Sequence, residues 1–333
     1  MNNNMNNQTN TRSMYVLKNT VVDVIYKIFR AVLLFGLCFL ILQPLLDKLS
    51  VSFMEQQDLY DATVISIPRN FSVSNYKISS DLMNYWTSLF QTVVIVVISA
   101  ALQVSSCALA AYGFARYKFP GKNILFICVF LIIVIPPQTI MSSLYLNFQF
   151  FDIFGLVKLI TGRTINLLGS VTGYLLLSAT AMGLKSGLYI FLLRQYFRGV
   201  PKELEEAAYV DGCGRLYTFC RIMLPDAAPM LTSCFLFSFV WQWTDTLFTT
   251  LFLRSYKMIS LALGLLTDSF YRYWAGINSY GSGTGALISQ PPLAYTQAIV
   301  ATGMLLSLAP LILLYLVAQR AFVESLSQTG IKM

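Results

Sequence analysis

Long uncharged apolar stretches alternate with short charged ones along this chain. A membrane-crossing helix needs about 20 mostly apolar residues to cover about 30 Å of hydrocarbon. Six stretches approach or exceed that length. Ala31 to Leu46 lies between Arg30 and Asp47, and Ile25, Ile28 and Phe29 extend its apolar face backward. Leu82 to Ala115 follows Asp81, with its apolar core starting near Leu89. Asn123 to Phe151 is the third, and Thr164 to Leu184, continued past Lys185 to Leu193, is the fourth. Ala227 to Leu253 is interrupted only by Asp245. Tyr273 to Gln319 carries no charge, but its first part is rich in Gly, Ser and Pro. A loop is predicted there, with a helix starting near Leu293. Lipid offers the backbone no partners, so each span must close its own hydrogen bonds as a helix. The pattern predicts an all-α integral membrane protein with six transmembrane helices.

Orientation follows from Lys and Arg in short flanking segments. The N-terminal 30 residues carry Arg12, Lys18, Lys27 and Arg30, and RYKFPGK packs Arg116, Lys118 and Lys122 together. The segment after the fourth span holds Arg194, Arg198, Lys202, Arg215 and Arg221. The loop from Asp47 to Trp86 has five acids against three bases. Both termini are therefore expected in the cytoplasm and the acidic loop outside. The domain plan that follows is a disordered cytoplasmic lead over 1–22 and a first span over 23–46. An extracytoplasmic loop over 47–86 and a five-helix core over 87–320 come next, then a cytoplasmic tail over 321–333. The first span reads as a retained anchor, because no small-x-small cleavage pattern follows it.

Composition removes whole classes of function. Of 333 residues, 56% are apolar and 11% charged, against about 25% charged in an ordinary soluble domain. There is no histidine, which removes Ser-His hydrolysis, His-ligated zinc and imidazole acid–base catalysis. The net charge of +8 sits at the edges of apolar runs, not on a soluble basic face, so nucleic acid is not the expected partner. The six cysteines include no CxxC pair and read as small apolar fillers. No GxxxxGK[ST] phosphate loop is present, so the chain is expected to bind no ATP itself. No catalytic residue, metal or bound cofactor is expected.

One charged segment is more organised than the rest. It lies within the stretch from 195 to 226 and includes GVPKELEEAAYVDGCGRLYTFCRIMLPD. Gly199-Val200 breaks the preceding span, and Pro201 suits a first helical position. Glu203, Glu205 and Glu206 follow where the helix dipole favours negative charge. Asp211-Gly212 is expected to close the helix. A second stretch, Arg215 to Met223, places Leu216, Phe219 and Ile222 near one face, and Leu224-Pro225 is expected to stop it. The unit is a helix, glycine turn and helix. Its small Ala207 and Ala208 and its carboxylates suit a docking partner with basic surface. Equally, it could cover the ends of the bundle.

The spacing Glu206-Ala207-Ala208, three residues, Gly212, nine residues, Ile222, one residue, Leu224-Pro225 resembles the EAA motif of ABC importer permeases. The stretches LAAYGFARYKFPGKNILF, IPPQ at 135–138, FLLRQYFRGVPKELEEAA and the C-terminal AQRAFVESLSQTGIK resemble the binding-protein-dependent carbohydrate type. The short six-span form is similar to the maltose-type second permease, and the resemblance covers about residues 70 to 333. It implies a coupling helix that docks on a separate ATP-binding subunit. In that reading Glu203, Glu206, Ala207, Ala208, Asp211, Gly212, Ile222, Leu224 and Pro225 form the coupling unit. The implied partners are a second permease, two ATPase subunits and an extracytoplasmic solute-binding protein, with ATP used by the partner. A carbohydrate, either an oligosaccharide or a modified sugar, is the implied cargo. The tail departs from the family pattern, with Gln328-Thr329 before a single Gly330.

Four residues stand out as possible pathway elements. Pro136-Pro137 must interrupt helical bonding in the third span. Such breaks either border a cavity or merely kink a span. Asp245 lies deep in WQWTDTLF, where a carboxylate is costly and serves function or caps a helix end. Lys185 lies mid-span, facing water or another subunit. Aromatic Trp241, Trp243, Tyr145, Phe148 and Tyr189 could stack on sugar rings or anchor the interface. Alternatives to sugar transport are a permease for a solute such as glycerol phosphate, an intramembrane enzyme using Asp245 with Lys185, or a signalling scaffold.

Overall fold

In the computed structural model, residues 2–330 are described apart from 62, 65, 66, 154 and 280–289, and side chains from 23 to 319 apart from those, 161, 278 and 279. Helix dominates the chain. Among the described residues the only β pairing is two isolated bridges, Met54 with Phe71 and Phe151 with Ile165.

The chain divides into two units. The first holds residues 1–75 with 293–302, and the second holds 76–292 with 303–333.

In the first unit, α1 runs Asn2–Ser52 with Pro44 inside it. The helix includes residues 2–22. Beyond α1, the loop is tied by its own polar groups. Asp58 accepts from the Asn70 amide at 2.8 Å and from its Nδ2 at 3.0 Å. Asn75 Nδ2 donates to the carbonyls of Ser52 and Met54 at 3.2 and 2.9 Å. Asp61 accepts from the Thr63 hydroxyl and amide and pairs with Arg69 at 2.9 Å. The Thr63 hydroxyl bond, then its amide and the Arg69 charge, hold the Asp61 carboxyl below its usual range.

The second unit is built on α3, Tyr85–Arg116, preceded by α2, Ser74–Met83, whose first two residues belong to the first unit, as do residues 293–302 at the start of the last helix. Next come α4, Lys122–Val134, and α5, Pro137–Gln149, then the short α6, Leu156–Thr161. The fourth predicted span is two helices, α7, Val171–Ala179, and α8, Ser186–Gly199. After them lie α9, Glu203–Val210, α10, Arg215–Thr218, a π turn over Phe219–Met223, and α11, Leu224–Asp226. The rest are α12, Ala228–Thr244, α13, Leu247–Phe252, α14, Ile259–Gly264, α15, Leu266–Ser279, and α16, Leu293–Gly330.

α3 packs against α7, α8 and α12, and α4 packs against α8. The sequence explains the closeness. Ala100, Cys107, Ala108 and Ala111 of α3 are fully buried small residues, which let helix backbones approach. Gly187 of α8 does the same for α4, since a Cβ there would lie 2.8 Å from the Val129 carbonyl.

The predicted spans are not all single helices. Among the described residues, three helices are long and apolar enough to cross a membrane, Asp23–Ser52, Tyr85–Arg116 and Leu293–Gln319. Two more spans count only as bent pairs, α4 with α5 at 107° and Arg215–Asp226 with Ala228–Thr244 at 77°. The fourth predicted span breaks between Ala179 and Ser186, where Ala181 and Lys185 adopt positive φ. α15 continues to Ser279, so the first part of the stretch expected as loop from Tyr273 is helical. Residues 280–289, and 331–333 of the expected tail, lie outside the described residues.

Candidate functional site

The turn after α9 forms as its sequence demands. Gly212 takes φ +80, a conformation L side chains rarely adopt. Its amide donates to the Tyr209 carbonyl at 3.1 Å, and the Cys213 amide donates to Ala208 at 2.9 Å. Those two bonds are the Schellman closure of a helix end. The N-terminus starts two residues later than expected, with Lys202 as cap and Pro201 ahead of it.

The side chains of α9 divide by face. Glu205 and Ala208, three residues apart, are buried, whereas Glu203, Leu204, Glu206, Ala207, Tyr209 and Val210 are exposed. Asp211 and Gly212 are exposed as well. Of the small pair, only Ala207 is open to a partner. Ala208 packs within the chain, because the helical period turns it the same way as Glu205.

Glu205 meets Arg116, the last residue of α3. Arg116 Nε lies 2.9 Å from Glu205 Oε1, and both side chains are at most one-tenth exposed. The N–H does not aim along that line, so the contact is Coulombic and not a shaped hydrogen bond. Arg116 Nη2 also donates to the Val200 carbonyl at 2.7 Å. Around this pair Tyr112 packs on Phe197 and Phe219, with ring centroids 5.6 and 4.8 Å apart. Tyr196 donates its hydroxyl to the Asp226 carbonyl at 2.7 Å. The segment is thus fastened to the ends of α3 and α8 while an acidic and apolar face stays open.

The second stretch differs from expectation. Thr218, Phe219 and Met223 are buried, but Leu216 is 75% exposed, and the π turn over Phe219–Met223 shifts the register of the residues that follow it. Ile222 and Leu224 are half-buried and Pro225 is exposed. Leu224-Pro225 does not stop the helix. Pro225 is accommodated within α11, and the bend comes after Asp226.

The pathway candidates are dispersed. Pro136, extended at ψ 135, caps α5, and Pro137 is its first residue, so the pair separates two helices at 107°. Lys185, at φ +63, precedes α8 and lies 4.9 Å from the Trp241 ring. Asp245 caps α13. Its oxygens accept from the Leu247 amide at 3.2 Å, the Thr249 amide at 3.0 Å and the Thr249 hydroxyl at 3.2 Å. The helix-end reading of Asp245 is the one its geometry supports. Lys185 and Asp245 do not pair: the ion pairs among the described residues are Arg69–Asp61 and Arg116–Glu205. Of the aromatics, Trp243, Tyr189 and Phe148 are buried in the core, while Trp241 and Tyr145 are each 44% exposed.

Sequence reasoning missed a buried polar cluster centred on Gln103 of α3. Its Nε2 donates to the Leu184 carbonyl at 2.8 Å and to Ser186 Oγ at 2.7 Å. Its Oε1 accepts from Ser238 at 2.6 Å and Gln242 at 2.7 Å. Tyr174 completes the chain at 3.3 Å from Gln242, and Ser99 meets Ser178 at 2.6 Å. The break between α7 and α8 frees backbone groups within an apolar bundle, and Gln103 satisfies one of them. Gly183 is part of the fit, since a Cβ there would lie 2.9 Å from Gln103 Nε2. The signal in the sequence was the polar residues Gln103, Ser238 and Gln242 inside otherwise apolar runs.

Comparison with known proteins places this architecture. The family described as binding-protein-dependent transport system inner membrane component matches residues 105–327. The arabinooligosaccharides transport system permease protein AraQ of Halalkalibacterium halodurans is 27% identical over 89% of this chain and 93% of its own. The maltodextrin transport system permease protein MdxG of Bacillus subtilis is 28% identical over 89% of this chain and 92% of its own. A chain from the crystal structure of a bacterial ABC transporter that imports the acidic polysaccharide alginate superimposes with a TM-score of 0.63 at 21% identity. That match covers 90% of this chain and 97% of the other, and shares its fold. The matched family region contains the whole of α9, its Schellman turn and the Gln103-supported break in α7–α8, and the chain belongs to the binding-protein-dependent transport system inner membrane components, as a transport subunit of the membrane.

Proposed function

We propose that this subunit carries a carbohydrate across the membrane by alternating access, driven by ATP hydrolysed on separate subunits that dock on α9. The observation that carries the reading is the division of α9. Glu206 and Ala207 are open to a partner, while Glu205 and Ala208 are held against the bundle. A load on the open face reaches α3 through the Glu205–Arg116 contact. Exposed Leu204, Val210, Leu216 and Tyr217 give the docking face apolar area beside its acids.

The remaining parts follow from that role. Two ATPase subunits, one per permease, grip Glu203, Glu206, Ala207, Asp211 and Gly212, with Ile222, Leu224 and Pro225 supporting the turn. A second, non-identical permease completes the pathway, and a solute-binding protein delivers cargo from outside. The basic segments flanking the spans support a cytoplasmic position for both termini. ATP is used by the partner subunits, and this chain's role calls for no cofactor of its own. Broken helices around Pro136-Pro137 and Lys185 border the route, and Trp241 offers an exposed ring beside it. AraQ and MdxG transport systems are named for oligosaccharides, which supports a carbohydrate cargo.

The test is uptake by the reconstituted complex together with thermal shift of its solute-binding protein against a sugar panel. ATP-dependent uptake of a sugar that also stabilises the binding protein is expected. A binding protein stabilised only by glycerol phosphate, or a chain that copurifies with no ATPase, contradicts the reading.

A further inference from the structure

A basic cavity of about 440 Å³ lies beside the coupling segment, and apart from Arg116 its cations have no part in the role above. Arg116, Lys122, Arg194, Arg198 and Lys202 line it, with Asn123; Arg116 is paired with Glu205 behind the wall, and no carboxylate lines the cavity to balance the other four. The cations come from the end of α3, the start of α4, the end of α8 and the approach to α9. Arg116 is held by Glu205 and the Val200 carbonyl, and two more are fixed in place. Arg194 Nε donates to the Phe114 carbonyl at 3.4 Å, and its guanidinium sits 3.7 Å from the Phe126 ring centroid. Lys122 Nζ donates to the Tyr117 carbonyl at 2.8 Å. Each keeps further donors unspent. Like charges held together disfavour one another unless an anion sits among them. The start of α4 adds the partial positive charge of a helix end.

The surroundings are apolar. Ile124, Leu125 and Ile127 of α4 are 69, 51 and 59% exposed immediately after Lys122 and Asn123. A cluster of cations at the head of an exposed apolar helix matches a ligand with an anionic head and hydrocarbon tails.

We infer that this cavity binds the phosphate headgroup of an anionic phospholipid of the cytoplasmic leaflet. The leaflet rests on the orientation proposed above, but headgroup binding in detergent does not depend on it. Labelling of Cys213 and Cys220 in sealed vesicles tests orientation separately.

The experiment is native mass spectrometry of the full chain in mild detergent with equal phosphatidylglycerol and phosphatidylcholine. Wild type should retain phosphatidylglycerol selectively. Arg198 and Lys202 are exposed, so Arg198→Gln with Lys202→Gln leaves the fold intact. That double variant should lose roughly five-fold in selectivity per charge removed, the worth of one Lys or Arg near an anionic surface. Arg194→Gln should lose at least as much, and Lys257→Gln, outside the cavity, nothing. Equal retention of both lipids by wild type, or selectivity unchanged in both cavity variants, overturns the proposal. Displacement of the lipid by millimolar inorganic phosphate assigns the cavity to a soluble phosphate and overturns the lipid assignment.

Discussion

Arg116 Nε and Glu205 Oε1 lie 2.9 Å apart and join the end of α3 to the inner face of α9. Both charges are almost fully removed from water, where a pair is weak evidence for stability but a lone partner is costly. Glu205→Ala should therefore destabilise the chain by about 3 kcal/mol, because it strands a buried guanidinium. Exchange of the two residues, Arg116→Glu with Glu205→Arg, should recover part of that loss. Thermal unfolding of the purified variants reads the effect. Equal stability of Glu205→Ala and wild type would show that the contact is not formed in the membrane.

Glu206 is on the open face, one position away from the buried acid. Glu206→Lys should weaken ATPase docking and leave membrane insertion and melting unchanged. Copurification of the ATPase, set against membrane yield, checks this. Loss of insertion together with docking would make Glu206 a folding residue.

Gly212 at φ +80 is required by the turn, and nothing within 4 Å would meet a Cβ there. Its replacement by alanine should cost about 1 kcal/mol through backbone conformation alone. The expected outcome is a modest fall in stability with a larger fall in uptake, since the turn sets the angle of the docking face. Uptake per folded subunit is the quantity to follow.

The Gln103 cluster predicts a graded result. Gln103→Leu strands the Leu184 carbonyl, Ser238 and Gln242, at about 0.6 kcal/mol per hydrogen bond lost within a membrane bundle. Gly183→Ala should be harmful beside Gln103 and nearly neutral beside Gln103→Ala, because the clash is with that side chain. Melting temperatures of the two single and one double variant form the cycle.

Asp245 distinguishes a cap from a substrate ligand. Asp245→Asn keeps an oxygen for the Leu247 or Thr249 amide and should retain both stability and uptake, while Asp245→Ala should lose about 1 kcal/mol. Abolished uptake in a stable Asp245→Asn variant would restore Asp245 to the pathway.

Much of this was legible in residue order. Apolar run length located the long helices, and the Glu206-Ala207-Ala208…Gly212 spacing located the turn, because a Schellman closure has local requirements. The break at Lys185 was not legible. It depends on Gln103, some 80 residues away, satisfying what the break exposes. The choice between Glu205 and Glu206 was hidden for a similar reason. Three acids stand together in the sequence, and only the position of Arg116 decides which one turns inward. The bend after Asp226, not at Leu224-Pro225, reflects a proline that sits at the start of a helical turn, where its missing donor is harmless.

The central claim is that the ATPase grips the outer face of α9. The most direct measurement is cysteine cross-linking to the ATPase in membranes, in a background with Cys213→Ser and Cys220→Ser. Ala207→Cys, on the exposed face, should cross-link, and Ala208→Cys, buried against the bundle, should not. Cross-linking at neither position, or equally at both, would contradict the account.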